Sequence, residues 1–120
     1  MKNRLLLVED DPDLLQIMKI WASFNEYDCD SDETGAECID KALSYRPNLI
    51  LLDLNLPHIN GLSLISQLKN NEKLRNIPIV VLSACTDDKT INEAIRLGAK
   101  SFISKNKNPA DIFDKIRAWG

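Results

Sequence analysis

Cysteine is scarce in this chain and badly placed for metal chemistry. Cys29, Cys38 and Cys85 are the only three; none sits in a C-x2-C pair, and an odd number makes no disulfide framework. Reduced, structural thiols in a cytosolic protein are the expected reading. Apolar runs end after a few residues, too short for a transmembrane helix. The N-terminus passes from Lys2 and Arg4 through four apolar residues straight into Glu9-Asp10-Asp11, which leaves no apolar length for a signal peptide. An excess of basic residues is missing as well. A net charge of −3 and a pI of about 5.1 argue against a dedicated nucleic-acid binder, which would carry a basic stripe. His58 is the single histidine, between Pro57 and Ile59, and reads as an exposed loop residue rather than a ligand or phosphorelay histidine.

What remains is the content of one folded domain. With 120 residues, 44% of them hydrophobic, the chain can close one core over 1–120 and is too apolar to be disordered. Leu5–Val8, Leu49–Leu52 and Ile79–Leu82 are short, continuous and branched, as expected of strands buried on both faces. Weaker runs near Tyr27–Asp30 and Ser101–Ser104 suit sheet edges. The intervening segments have helical period: Leu14, Ile17, Met18, Trp21 and Phe24; Ala36, Ile39, Ala42 and Leu43; Leu62, Ile65 and Leu68; Ile91, Ala94 and Ile95; Ile112, Phe113, Ile116 and Trp119. Asp11-Pro12 reads as an N-cap followed by proline at the first helical position, Asn60-Gly61 opens the third helix, and Arg46-Pro47 and Gly98 are stops. Five βα units in succession predict an α/β fold, a parallel sheet with right-handed crossovers and helices on both faces.

In such a sheet, ligands bind beyond the carboxyl ends of the strands. The first strand is followed by Glu9-Asp10-Asp11, the third by Asp53, the fourth by Ser83 and the fifth by Lys105. Asp11 is expected to cap the helix, which frees Glu9 and Asp10. Carboxylates gathered this closely repel unless a cation intervenes, and Mg²⁺ is the hard cation that takes one or two carboxylates together with a phosphate. Lys105 and Ser83 can pair with a phosphoryl group, and Asp53, at the end of the most apolar central strand, is the candidate carboxylate nucleophile.

The segments 5–11 (LLLVEDD), 51–57 (LLDLNLP) with Gly61, 79–84 (IVVLSA) and 98–105 (GAKSFISK) resemble the receiver (phosphoacceptor) domain of bacterial two-component response regulators across the whole chain. The resemblance implies a flavodoxin-like sheet of order 2-1-3-4-5 with five helices. It also implies a signalling switch in place of an enzyme with an external substrate. Asp53 would accept a phosphoryl group from a phosphohistidine on a sensor histidine kinase or histidine phosphotransfer protein. Glu9, Asp10, Asp53 and the backbone carbonyl of Asn55 would hold Mg²⁺. Ser83 and Lys105 would grip the phosphoryl group, and Phe102 would move with Ser83 to alter the surface of the fourth helix, fifth strand and fifth helix. Asn55 and Cys85 would flank the water that hydrolyses the phosphoprotein. No membrane or direct nucleic-acid contact is implied, and the location would be cytoplasmic.

The departures from that pattern are local. Asn106 follows Lys105 where the family usually has proline, often in a cis bond, so the reach of the lysine is open. Lys100-Ser101 replaces acidic residues that support a salt-bridged dimer in DNA-binding members, and Phe102 lacks the hydroxyl of tyrosine. A phosphatase of the haloacid dehalogenase type would need an acid at Asn55, and a flavin carrier a glycine-rich loop where Glu9-Asp10-Asp11 stands. A degenerate, binding-only receiver would lack some of Asp10, Asp53, Ser83 and Lys105. By the resemblance, Trp21 packs against the fifth helix, and the rings of Trp21 and Trp119 lie about 15 Å from the metal.

Overall fold

A computed structural model describes residues 3–57, 59–84 and 87–119. Elements alternate as β1 (Asn3–Val8), α1 (Pro12–Phe24), β2 (Tyr27–Asp32), α2 (Cys38–Tyr45), β3 (Leu49–Leu52), α3 (Gly61–Asn70), β4 (Ile79–Ser83), α4 (Asp88–Leu97), β5 (Ser101–Ser104) and α5 (Pro109–Arg117). The five strands are parallel in the order β2-β1-β3-β4-β5, which puts the two weakly apolar strands at the edges.

The strands sort their side chains by the two-residue period of the pleat. Leu6, Val8, Ile50, Leu52, Ile79 and Val81 face α2, α3 and α4. Their neighbours Leu5, Leu7, Leu49, Leu51, Val80 and Leu82 face α1 and α5. This explains why β1, β3 and β4 read as unbroken apolar runs: both faces are covered. Asp11 accepts from the backbone N–H groups of Asp13 and Leu14, and Asn60 from that of Leu62, so both are N-caps. Arg46 ends α2 in the left-handed conformation and Gly98 ends α4 at φ 126°. Cys29 and Cys38 are free; burial pushes their thiols up to about 11 and about 12, so both stay protonated and inert at neutral pH. Cys85 and His58 lie outside the described residues.

Two helices orient differently from their apolar period. In α1 the residues on the sheet are Leu15, Met18 and Ala22, with Leu14 half-buried, while Ile17, Trp21 and Phe24 face outward. The expected burial of Trp21 is thereby corrected: its ring is 36% exposed. The largest fully buried side chain in that layer is Phe113, tilted against the Tyr27 ring at 5.9 Å. Ala36 is exposed in the turn before α2, and α2 is anchored by Cys38 and Ala42.

Gly61 matters for a steric reason. A Cβ there would lie 2.5 Å from the Leu54 Cα and 3.0 Å from the Asp53 carbonyl, so any larger residue pushes on the segment that follows β3. Phe113→Ala should cost about 3–5 kcal/mol. Trp21→Ala should cost less, about 2–3 kcal/mol, because about a third of the residue already meets water. Urea unfolding of the two variants checks the order; a larger loss at Trp21 would contradict the observed packing.

Candidate functional site

The strand register brings the chemistry to one edge. Val8 and Leu52 are direct partners, so Glu9 and Asp53 leave the sheet side by side, and the Asp53 N–H donates to the Val8 carbonyl at 2.9 Å. Ser83 pairs with Ser104, and the Lys105 N–H donates to the Ser83 carbonyl at 3.0 Å, which starts Lys105 beside β4.

Glu9, Asp10 and Asp53 offer carboxylate oxygens that all lie within 4.8 Å of one another. Glu9 is fully buried, Asp53 is 2% exposed and Asp10 is half-buried. The Lys105 ammonium donates to Glu9 Oε1 at 2.8 Å and to Asp53 Oδ2 at 2.9 Å. No cis peptide bond occurs among the described residues, so the lysine reaches the acids from a trans bond to Asn106. The turn behind it is held by the Asn106 N–H donating to Ser104 Oγ and the Lys107 N–H donating to the Ser104 carbonyl.

Burial pushes the Glu9 carboxyl above its ordinary range; the bond from Lys105 opposes that shift and the charge of Asp53 adds to it. Burial draws Lys105 down, but its bonds to Glu9 and Asp53 outweigh that and leave its pKa raised. Glu9 Oε2 is the one buried side-chain oxygen or nitrogen among the described residues without a hydrogen-bond partner. An unpartnered carboxylate oxygen is costly in a dry site. Three carboxylates against one ammonium leave two negative charges uncompensated. Both features fit a hard divalent cation with oxygen ligands.

Asn55 is exposed at the mouth of the site, its N–H donating to Asp53 Oδ1 at 3.0 Å. Beside it an open groove of about 480 Å³ is lined by Leu54, Leu56, Ile59, Leu62 and, from α4, Thr90. Ser83 is buried at the end of β4, and Phe102 is half-buried on β5 against the α2–α3–α4 side of the core. Asp11 stays with its helix, as expected from Pro12. One residue escaped the sequence reading. β2 runs two residues past Asp30 to end in Asp32, a buried acid that accepts from the Thr34 and Glu37 N–H groups and shapes the segment before α2. Its signal was weak because Asp28, Asp30 and Asp32 look alike in sequence.

The profile of the family described as response regulator receiver domain matches residues 5–117. The chain belongs to that family. Response regulator ArlR of Staphylococcus saprophyticus is 33% identical over 116 residues, covering 97% of this chain and 51% of ArlR. The receiver thus spans about half the length of the curated relatives it matches. Among solved structures, the BeF3-activated N-terminal receiver domain of Klebsiella pneumoniae RstA is 26% identical with a TM-score of 0.89, over 98% of this chain and 97% of that one. The chemotaxis response regulator CheY4 of Vibrio cholerae is 21% identical with a TM-score of 0.93 over the full length of both chains, a likeness of fold. No described helix of the receiver is long and apolar enough to cross a membrane.

The raised pKa of Glu9 has a definite sign for stability. Its contribution is fully present below the unfolded carboxylate value and is lost as pH rises through the higher folded value. In metal-free buffer, the stability of the wild type relative to Glu9→Gln should therefore fall as pH rises above the ordinary carboxylate value. Denaturant unfolding in a chelator over a series of pH values measures this, and a difference that stays flat or rises would contradict the burial of an unpaired Glu9 oxygen.

Proposed function

We propose that the receiver is a phosphorylation-activated switch whose phosphoacceptor is Asp53. The observation that carries this reading is the joint bond of Lys105 to Glu9 and Asp53 across three strand ends, beside an unpartnered Glu9 oxygen. Glu9, Asp10, Asp53 and the Asn55 backbone carbonyl would hold Mg²⁺. When bound, the ion supplies charge neutralisation to the transferring phosphoryl group.

The chain's own residues account for the remaining steps. A carboxylate oxygen of Asp53 attacks the phosphorus of a phosphohistidine on a histidine kinase or phosphotransfer protein. The new O–P bond forms as the N–P bond breaks, and the imidazole leaves. Lys105 already points at Asp53, so it needs only to pass from a carboxylate oxygen to a phosphoryl oxygen. Ser83, at the end of β4, would donate to a second phosphoryl oxygen. Asn55, at the exposed mouth, would orient the water that later hydrolyses the acyl phosphate.

The structure also supports a place for the response. Helix α4 buries only Ala94 fully, and its Ile95 is 43% exposed, whereas α1, α3 and α5 each bury at least three side chains. A shallowly held helix costs little to shift. Phosphorylation adds about −1.5 to −2 charges. Movement of Ser83 toward that charge would draw Phe102 on neighbouring β5 with it and re-form the surface of α4, β5 and α5.

Incubation with acetyl phosphate and Mg²⁺, followed by intact mass measurement, should show one phosphoryl adduct that is absent without Mg²⁺ and in Asp53→Asn. Labelling of Asp53→Asn at the wild-type level would remove Asp53 from the role. In a separate measurement, Asn55→Met should lengthen the phosphoprotein lifetime by about two- to tenfold, the worth of one hydrogen bond to the attacking water. An unchanged or shorter lifetime would take Asn55 out of the hydrolysis.

A further inference from the structure

Lys105 can serve the carboxylates only if its backbone aims it. It follows β5, an edge strand, whereas Asp53 follows β3, two strands away, and Glu9 follows β1, three away. At about 4.8 Å between neighbouring strands, Glu9 leaves the sheet roughly 14 Å from the end of β5, and a lysine stem spans only about 6 Å. The ammonium nonetheless lies 2.8 Å from Glu9 Oε1 and 2.9 Å from Asp53 Oδ2. Such reach needs the Cα–Cβ bond of Lys105 tilted inward across β4, and a flexible four-carbon stem cannot impose that tilt by itself.

The two peptide planes that bracket Lys105 are each held by a hydrogen bond. The plane before it is fixed by the Lys105 N–H, which donates to the Ser83 carbonyl at 3.0 Å. The plane after it is fixed by the Asn106 N–H, which donates to Ser104 Oγ at 3.1 Å. With both planes held, φ and ψ of residue 105 are set, and with them the direction of its side chain. A third bond, from the Lys107 N–H to the Ser104 carbonyl at 3.2 Å, closes the turn, and Asn108 then caps α5. The first and third bonds use backbone acceptors that any residue provides. The second depends on one hydroxyl, and on an N–H at position 106 that proline would lack.

We propose that Ser104 is a positioning residue for phosphotransfer, its hydroxyl aiming Lys105 at Asp53 and at the phosphoryl group that Asp53 receives. This rests on the phosphoacceptor reading of Asp53 and adds to it a residue that acts through the lysine. The same bond sets up a competition. An ammonium aimed in this way occupies two of the carboxylates that would hold Mg²⁺, so it opposes the metal by like charge while it prepares the phosphoryl contact. Loss of the Ser104 hydroxyl should therefore push metal binding and phosphorylation in opposite directions, which general damage to the edge would not do.

Ser104→Val and Ser104→Thr test the proposal, because the two replacements have nearly the same shape, both suit a strand, and only one keeps the hydroxyl. Far-UV circular dichroism should show the fold in both, and Ser104→Ala, which removes the hydroxyl and adds nothing, should match Ser104→Val. With acetyl phosphate at saturating Mg²⁺, followed by intact mass, Ser104→Val should label about three- to tenfold more slowly than the wild type, and Ser104→Thr within about twofold of it. Calorimetric titration with Mg²⁺ alone should show binding about two- to fivefold tighter in Ser104→Val and unchanged in Ser104→Thr. In a Lys105→Met background, where labelling is already slow, adding Ser104→Val should bring no further loss. Wild-type labelling by Ser104→Val, equal losses in the Val and Thr variants, Mg²⁺ binding unchanged or weaker in Ser104→Val, or an undiminished further loss in Lys105→Met each overturns the proposal. Labelling of Asp53→Asn at the wild-type level would instead overturn the phosphoacceptor reading, and the Mg²⁺ titration reports on Ser104 even then, because no phosphoryl group takes part in it.

Discussion

The ammonium of Lys105 lies between two carboxylates that would otherwise repel each other across adjacent strands. Glu9 and Asp53 leave β1 and β3 side by side, both buried, with Asp10 close by. Like charges this close in a dry site are tolerable only with a counter-charge among them. Lysine supplies one positive charge against three carboxylates, an excess of acid that fits the cation proposed for this edge. A neutral or hydrophobic edge of the same shape would be more stable and chemically inert.

The sheet exists in a form that delivers these groups. Parallel strands place all their carboxyl ends on one edge, so residues distant in sequence converge without any loop having to span the molecule. The helices are held unequally. On the face opposite α1 and α5, α3 is anchored through Leu64, Ile65 and Leu68, whereas α4 rests on Ala94 with Leu97 partly buried beside it. The acidic edge is thus mounted on a rigid centre and bordered by one helix with little holding it.

Helix α1 shows how an apolar pattern can carry two messages. Leu14, Ile17, Met18, Trp21 and Phe24 form a regular helical series, yet only Met18 of the five is fully buried. Leu15, Met18 and Ala22 lie on the sheet side, where Phe113 packs against Tyr27 in the same buried layer. The remaining large side chains are turned outward. Period alone identifies a helix with much apolar surface; it does not say which part of that surface belongs to the interior.

Much of the receiver was legible in the chain itself. Short branched runs bounded by Asp11-Pro12, Asn60-Gly61 and Gly98 determine five strands and five helices, because local propensity, capping and periodicity are properties of neighbouring residues. The acids after β1 and β3 and the lysine after β5 were legible for the same reason: a residue that follows a strand must lie at its carboxyl edge. Tertiary structure alone decided the rest. It brought Lys105 onto Glu9 and Asp53 through a trans bond to Asn106, left Glu9 Oε2 unpartnered, buried Asp32 at the end of a longer β2, and turned Trp21 toward solvent. Each of these depends on which elements lie against one another and at what distance. Competition among side chains for one interior volume, and among charges for one counter-ion, is settled only when distant segments meet.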